Sequence, residues 1–191
     1  QAQSESRYSL EFRVSIDGFD AETNDPIRGE GTFARAIRGV KKLVHTGFLP
    51  IITATRTWKD SEDSSMLSGF ISILKQRGYS QPRIKLLPTL KLGAEQNRSG
   101  GYTDQQRVTG EMLRDYDRSQ LVCEHSRIVT TRGVHVCPIL IESPDALLSN
   151  DLATAAQKSY TLSHGACFTC YQYGAICSNI STGSGPVGAS S

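Results

Sequence analysis

The positions of the cysteines constrain this chain more than any other sequence feature. All five lie in the last third of the 191 residues, and residues 1–122 contain none. They are Cys123, Cys137, Cys167, Cys170 and Cys177. The C-x2-C spacing of Cys167 and Cys170 lets two thiolates bind one metal centre from a single turn of chain. The pattern therefore predicts a metal or iron–sulfur site whose other ligands come from distant segments.

Composition narrows the class of protein. The apolar share of 38% and the charged share of 21% are ordinary for a globular domain. A net charge of +2 gives no electrostatic reason to expect a nucleic acid or an anionic membrane as partner. No apolar run approaches the roughly 20 residues that a membrane span needs. Since five is an odd number for a disulfide framework, we expect a reducing, cytoplasmic location.

The first half of the chain alternates predicted strands and helices. The predicted order is a strand over residues 8–16, a polar loop over 20–31, a helix over 32–47, a strand over 50–57, a helix from Asp60 or Ser61 to Gly78, and a strand over 83–88. Such a run of βα units implies a parallel sheet. Three strands are too few for a closed barrel, and the chain does not begin with Met. We therefore expect it to be one part of a larger protein.

The second half is predicted to form a separate domain. Residues 93–104 are rich in Gly, Asn and Ser and suggest a boundary. The predictions after it are a helix over 105–116, a hairpin over 127–136 that turns at Arg132-Gly133, a helix over 147–162, and a disordered Gly/Ser-rich tail. The resulting domains are 1–95, 96–179 and the tail 180–191.

Three segments together resemble a known family. Val14-Ser-Ile-Asp-Gly18, Asp25-Pro-Ile-Arg-Gly29 and the helix that ends at Gly47 resemble the fourth βα unit of radical S-adenosylmethionine enzymes. The cysteine segment resembles the C-terminal extension of those enzymes, the SPASM domain or its shorter twitch form. Thirteen residues separate Cys123 from Cys137, and three residues separate Gly133 from Cys137, one fewer than in that extension.

The resemblance implies a fold and partners. The fold is α/β, the C-terminal part of a partial (βα)6 TIM-like barrel with about three βα units, followed by a small Cys-rich α+β auxiliary-cluster domain. The C-x3-C-x2-C motif, which in the family holds the cluster that cleaves S-adenosylmethionine, is absent from these residues. The expected partners are therefore the upstream N-terminal half of the same protein and a small-molecule or peptide substrate. This chain alone is expected to be inactive.

Five residues are predicted to bind part of S-adenosylmethionine. Ser15 and Asp17 end the first strand, where ligands bind in βα architectures, and the resemblance implies that they contact the ribose. Arg28 matches an arginine that pairs with the methionyl carboxylate, a role that suits a guanidinium. Thr53 and Thr55 end the second strand and are candidates for the same cavity. The alternative is that all five are ordinary turn, loop and strand residues.

The cysteines leave three possibilities open. The resemblance implies an auxiliary [4Fe–4S] cluster bound by Cys123, Cys137, Cys167 and Cys170, with Cys177 as a fifth candidate. Zinc also binds thiolates, and it often recruits histidine; His125, His135 and His164 lie near the cysteines. The chain would then be a non-catalytic, zinc-stabilised module that binds a partner or a peptide. The third possibility is that no metal binds.

Overall fold

The described part of the chain forms two compact units. The computed structural model describes Glu5, Arg7 and residues 10–174, apart from the side chain of Asp60. These residues divide after Thr89 into a first unit and a second unit, a few residues before the boundary expected from the sequence. The predicted tail and Cys177 lie outside the described residues.

The first unit is a small parallel sheet with helices in its connections. Its strands are β1 (Arg13–Ser15), β2 (Ile51–Thr55) and β3 (Arg83–Leu87), in the order β1-β2-β3. Its helices are α1 (Ala21–Arg28), α2 (Thr32–His45) and α3 (Asp63–Gln76). Both strand pairs are parallel, as the alternation of elements predicts. Three strands do not test the partial barrel, which stays a prediction.

Two predictions for the first unit are wrong in detail. The segment predicted to be a polar loop contains α1, because the Asp20 carboxylate accepts a hydrogen bond from the Thr23 amide at 2.8 Å and caps the helix. The first strand is shorter than predicted, since β2 begins at Ile51, opposite Arg13. Leu10 and Phe12 therefore extend past the sheet and are 48% and 37% exposed. The start of the predicted strand, residues 8 and 9, lies outside the described residues.

Large apolar side chains fill the core of the first unit. Phe70 and Leu74 on α3 are each 1% exposed and pack with Ile52 of β2. The Phe70 ring lies 6.3 Å from that of Phe19 in an edge-on arrangement. Tyr79 is also buried, and its hydroxyl donates to the carbonyl of Pro50 at 2.7 Å. This core fixes the position of the sheet whose strand ends carry the predicted cofactor residues.

The second unit is built from short elements. Its antiparallel sheet contains β4 (Ile128–Thr130), β5 (Gly133–His135) and β6 (Leu147–Ser149), in the order β4-β5-β6. Its helices are α4 (Ala94–Ser99), α5 (Val122–His125), α6 (Leu152–Gln157) and α7 (Gly165–Tyr173). The predicted hairpin is confirmed. Gly133 has φ +120°, and a Cβ there would lie 2.9 Å from the Ser149 carbonyl oxygen, so the turn requires glycine.

Two predicted helices of the second unit are not formed. Residues 105–116 form turns, and Gly110 at the centre of the segment lowers its helix propensity by about 1 kcal/mol relative to alanine. Residues 147–162 divide into β6 and α6, because Leu147 pairs with His135 of β5 instead of continuing a helix. Over the residues that the structure describes, no helix has the length and apolarity to cross a membrane.

Candidate functional site

The five predicted cofactor residues meet at the carboxyl ends of β1 and β2. Ser15 lies opposite Thr53 in the sheet register, and their hydroxyl oxygens are 3.1 Å apart. Asp17 follows β1 and is 3% exposed. Its Oδ2 lies 2.6 Å from Nε of Arg28, and its Oδ1 accepts a hydrogen bond from the Thr55 amide at 2.6 Å. The structure therefore brings together side chains from β1, the end of α1 and β2.

Asp17 and Arg28 have different exposure within this cluster. The buried Asp17 carboxylate joins the end of α1 to the end of β2 through both of its oxygens. Arg28 has a side chain that is 33% exposed and pairs with Asp17 through Nε. A guanidinium has two further nitrogens that donate hydrogen bonds. Ser15 is exposed as well, so Ser15 and Arg28 are the groups that this cluster offers to a ligand.

The sequence patterns do not identify Asn24, whose side chain links Asp17 to the start of α2 through hydrogen bonds. Asn24 is 1% exposed, and its Oδ1 accepts a hydrogen bond from the Asp17 amide at 2.9 Å. Its Nδ2 donates to the Thr32 hydroxyl and to Oδ1 of Asp25, at 3.0 Å each. Gly18 permits this approach, since a Cβ there would lie 2.6 Å from the Asn24 amide nitrogen. The Asn24-Asp25-Pro26 sequence is typical of a loop, so it does not by itself predict this network of hydrogen bonds.

Asp25 anchors the start of α2. Its Oδ2 accepts from the Gly31 amide at 2.8 Å and its Oδ1 accepts from the Phe33 amide at 2.9 Å. Hydrogen bonds from the Asn24 side chain and from these amides hold the pKa of the Asp25 carboxyl below its usual value. The short segment between α1 and α2, which contains Gly29, is thus fixed next to Arg28.

Four cysteines of the second unit line one apolar cavity. Cys123 lies on α5, Cys137 follows β5, and Cys167 and Cys170 stand one turn apart on α7. The cavity has a volume of about 30 Å³, more than the roughly 10–15 Å³ that one water molecule needs. Its other lining residues are Leu121, Val122, Val136, Ile139, Leu140, Tyr160, Leu162 and Ala166. None of these four cysteines forms a disulfide.

The cavity disfavours bare thiolates. Burial above all, together with the thiolates of Cys123 and Cys137, raises the pKa of the Cys167 thiol to about 12. Burial also raises the pKa of Cys123, with Cys137 as the next cause, and it raises the pKa of Cys137. A metal supplies the positive charge that stabilises deprotonated thiols in such a place.

The donor set does not have the geometry of a single-ion site. Within residues 10–174, no group of three or more His, Cys, Asp or Glu side chains is arranged to hold one metal ion. The four cysteines line the cavity, whereas tetrahedral zinc needs its sulfurs gathered at about 2.3 Å from one point. The histidines do not complete the set, because no described histidine lines the cavity. His164 caps α7 by accepting from the Ala166 amide at 3.1 Å.

Three tyrosines near the cysteines were missed as well. Tyr160 lines the cavity, and burial and then the Cys167 thiolate raise its pKa to about 12. The Tyr102 hydroxyl lies 2.8 Å from the Thr169 hydroxyl of α7. Tyr116 packs its ring 4.7 Å from that of Tyr171. No spacing in the sequence predicts this grouping, because the three tyrosines are far apart in the chain and follow no motif.

Known proteins show a distant and partial likeness to this chain. No family model and no solved structure matches it. Mycofactocin maturase MftC of Mycolicibacterium smegmatis is 27% identical over 122 residues, which are 63% of this chain and 28% of that protein. MftC of Mycobacterium ulcerans is 44% identical over 39 residues, which are 20% of this chain and 11% of that protein. The chain is distantly similar to mycofactocin maturases. It spans less than a third of their length, and the likeness supports the resemblance to radical S-adenosylmethionine enzymes only in part.

Proposed function

We propose that this chain is the C-terminal part of a radical S-adenosylmethionine enzyme and that its second unit binds an auxiliary [4Fe–4S] cluster. The observation that carries the proposal is that Cys123, Cys137, Cys167 and Cys170 line the same apolar cavity. Three separate segments supply these thiols, of which Cys167 is buried and the other three are partly buried. Such a convergence of thiols on one cavity is what a metal group with four cysteine ligands requires. The distant likeness to mycofactocin maturases supports the same conclusion.

The shape of the site favours a cluster over a zinc ion. Thiolate ligands suit both. A cubane cluster keeps its four cysteine sulfurs apart around a cage, whereas zinc gathers them at one point. Thiols that line the walls of a cavity fit the first arrangement better. The absence of histidine from the described lining also favours iron and sulfide.

The residues of the chain give the proposed cluster its surroundings. When bound, such a cluster supplies electron transfer or an anchor for substrate. Cys167 and Cys170 present their sulfurs from one face of α7, and Cys123 and Cys137 present theirs from α5 and from the segment after β5. Val136 and Leu140 are buried in the lining and exclude water from the sulfurs.

The test of this proposal is anaerobic reconstitution of the full chain with iron and sulfide. We expect iron and sulfide in equal amounts and a [4Fe–4S] Mössbauer spectrum. Replacing any of the four lining cysteines by serine should lower both contents, whereas the matched control Cys177→Ser should lower them less. One zinc per chain without sulfide would refute the proposal and favour the zinc-stabilised binding module.

The first unit is proposed to hold part of S-adenosylmethionine. Asp17 orients Arg28 through Nε, so the guanidinium can receive the methionyl carboxylate. Ser15, whose hydroxyl oxygen lies 3.1 Å from that of the buried Thr53, presents its hydroxyl to the ribose. The rest of the site belongs to the proposed upstream half. In a protein that contains both halves, Arg28→Ala should weaken S-adenosylmethionine binding in calorimetry. The control is Arg35→Ala, an exposed arginine on α2, and equal affinities for the two variants would exclude this role.

The chain alone is proposed to be unable to start radical chemistry. Cleavage of S-adenosylmethionine needs a cluster with one open iron, and a cluster bound by four cysteines has none. With dithionite and S-adenosylmethionine, these 191 residues should therefore give no 5′-deoxyadenosine. Formation of 5′-deoxyadenosine in stoichiometric amount by this chain would refute the proposal that cleavage requires the upstream half. The proposed substrate is a small molecule or a peptide.

A further inference from the structure

The Tyr116 hydroxyl is a buried donor without an acceptor. Its oxygen is inaccessible to solvent, and no described residue accepts or donates a hydrogen bond to it. Leaving a buried hydroxyl unsatisfied costs about 1–3 kcal/mol. The ring is held firmly nonetheless, because it packs at 4.7 Å on Tyr171, the residue that follows Cys170. Because the Tyr116 hydroxyl is costly to bury and is held in a fixed position, we expect a hydrogen-bond acceptor for it.

The surroundings of the hydroxyl point to sulfur as that partner. Burial raises the pKa of Tyr116, and the next cause is the thiolate of Cys170, with a smaller contribution from Cys123. The ring contact with Tyr171 places Tyr116 beside α7, the helix that carries Cys167 and Cys170, yet no cysteine sulfur of the described residues accepts a hydrogen bond from its hydroxyl. A cluster bound between these thiols would bring further sulfur acceptors into the same space.

We propose that the Tyr116 hydroxyl donates a hydrogen bond to the sulfur of the cluster bound by the four cysteines, on its side that faces Cys170 and Cys123. The inference rests on the proposed function and assigns Tyr116 as a positioning residue. Hydrogen bonds to cluster sulfurs stabilise the reduced, more negative state and raise the reduction potential. Tyr102 does not share this role, since its hydroxyl already pairs with Thr169.

The test compares Tyr116→Phe with the matched control Tyr171→Phe in the reconstituted full chain. Both variants keep an aromatic ring and lose one hydroxyl, but only the Tyr116 oxygen is a buried, unpartnered atom. We expect Tyr116→Phe to lower the midpoint potential in an EPR-monitored redox titration and to release iron to a chelator about 10-fold faster. Tyr171→Phe should match the wild type in both measurements.

A second measurement removes the ambiguity of a folding defect. Tyr116→Phe keeps all four lining cysteines, so on reconstitution it should take up iron and sulfide in the same amounts as the wild type and as Tyr171→Phe. A lower iron and sulfide content in Tyr116→Phe than in Tyr171→Phe would overturn the inference, because the hydroxyl would then be needed to form the site and not to set the potential of the bound group. Unchanged potential and iron release would also overturn it while leaving the four-thiol site intact. A wild-type chain that takes up no iron and sulfide would overturn the proposed function itself.

Discussion

The two units of this protein differ in what their cores contain. The first unit buries large side chains, including Phe70, Leu74 and Tyr79, each 1% exposed. The buried core cluster of the second unit contains no aromatic side chain among the described residues and combines aliphatic side chains with small ones: Val134, Val136, Leu140, Leu148, Ala146, Ala155, Ala166 and Cys167. Its strands have three residues each, whereas β2 and β3 have five. Since hydrophobic stabilisation grows with the apolar area removed from water, we expect the first unit to be stable by itself and the second unit to gain stability from the metal group that we propose.

Removing the proposed metal group should produce the largest effect, and only in the second unit. Metal binding energy contributes directly to the folding of a small domain with a weak core. After chelation, residues 90–174 should lose most of their amide protection in hydrogen exchange, while residues 10–89 keep theirs. Equal protection of both units before and after chelation would show that the second unit folds without the group.

Phe70→Ala should have the opposite selectivity and destabilise only the first unit. Truncating a buried phenylalanine typically costs about 3–5 kcal/mol, and Phe70 packs between Phe19 and Trp58. The loss should appear in chemical denaturation of the first unit with or without iron. Leu67→Ala on the same helix is the control, since Leu67 is 37% exposed, and it should cost much less. A fall in the iron content of Phe70→Ala would contradict the independence of the two cores.

The same contrast explains how much of the fold the sequence predicts. The β2 and β3 strands and the hairpin at Gly133 were predicted because their signals are local: apolar β-branched runs and a turn glycine. Helix α1 was missed because its only strong signal is the Asp20 cap, and its interior contains Pro26. Residues 147–149 were predicted to be helical because their pairing with β5 depends on distant residues.

The candidate sites follow the same rule. The cysteines were identified because a C-x2-C motif is local, and the structure brings four of them to one cavity. Tyr116 was not identified, because only the fold brings it against Tyr171, the residue after Cys170. Asn24 was missed for a similar reason, since its importance comes from hydrogen bonds to Asp17 and Thr32. Sequence patterns thus identify residues that belong to a local motif and miss residues whose contacts are formed only by the fold.

Two carboxylates on or near β1 are expected to differ in how much they stabilise the first unit. Asp17 is 3% exposed and accepts from Arg28 and the Thr55 amide, whereas Glu11 has a side chain that is 33% exposed and pairs with Arg13. Hydrogen bonds to charged groups contribute about 1.5–3 kcal/mol, and exposed ion pairs contribute about 0–1 kcal/mol. Asp17→Asn should therefore lower the free energy of unfolding by about 2 kcal/mol, and Glu11→Gln should change it little. Equal effects in chemical denaturation would mean that the Asp17 bridge is not a structural element.

The smallest expected effect is the response of the first unit to acid. The pKa of Asp25 is held below 3.8 by hydrogen bonds from the Asn24 side chain and from the Phe33 and Gly31 amides. A carboxyl whose folded pKa is depressed contributes stability that is present above its unfolded pKa and is lost as pH falls through the folded pKa. Stability measured from pH 7 downwards should therefore fall less steeply below about pH 4 in Asp25→Asn than in the wild type. Glu30→Gln, a neighbouring exposed carboxylate, is the matched control and should keep the wild-type profile. Asp25 anchors the start of α2 next to Arg28. If Asp25→Asn shows the same acid profile as the wild type, the ionised Asp25 carboxylate does not stabilise this end of the cofactor cluster.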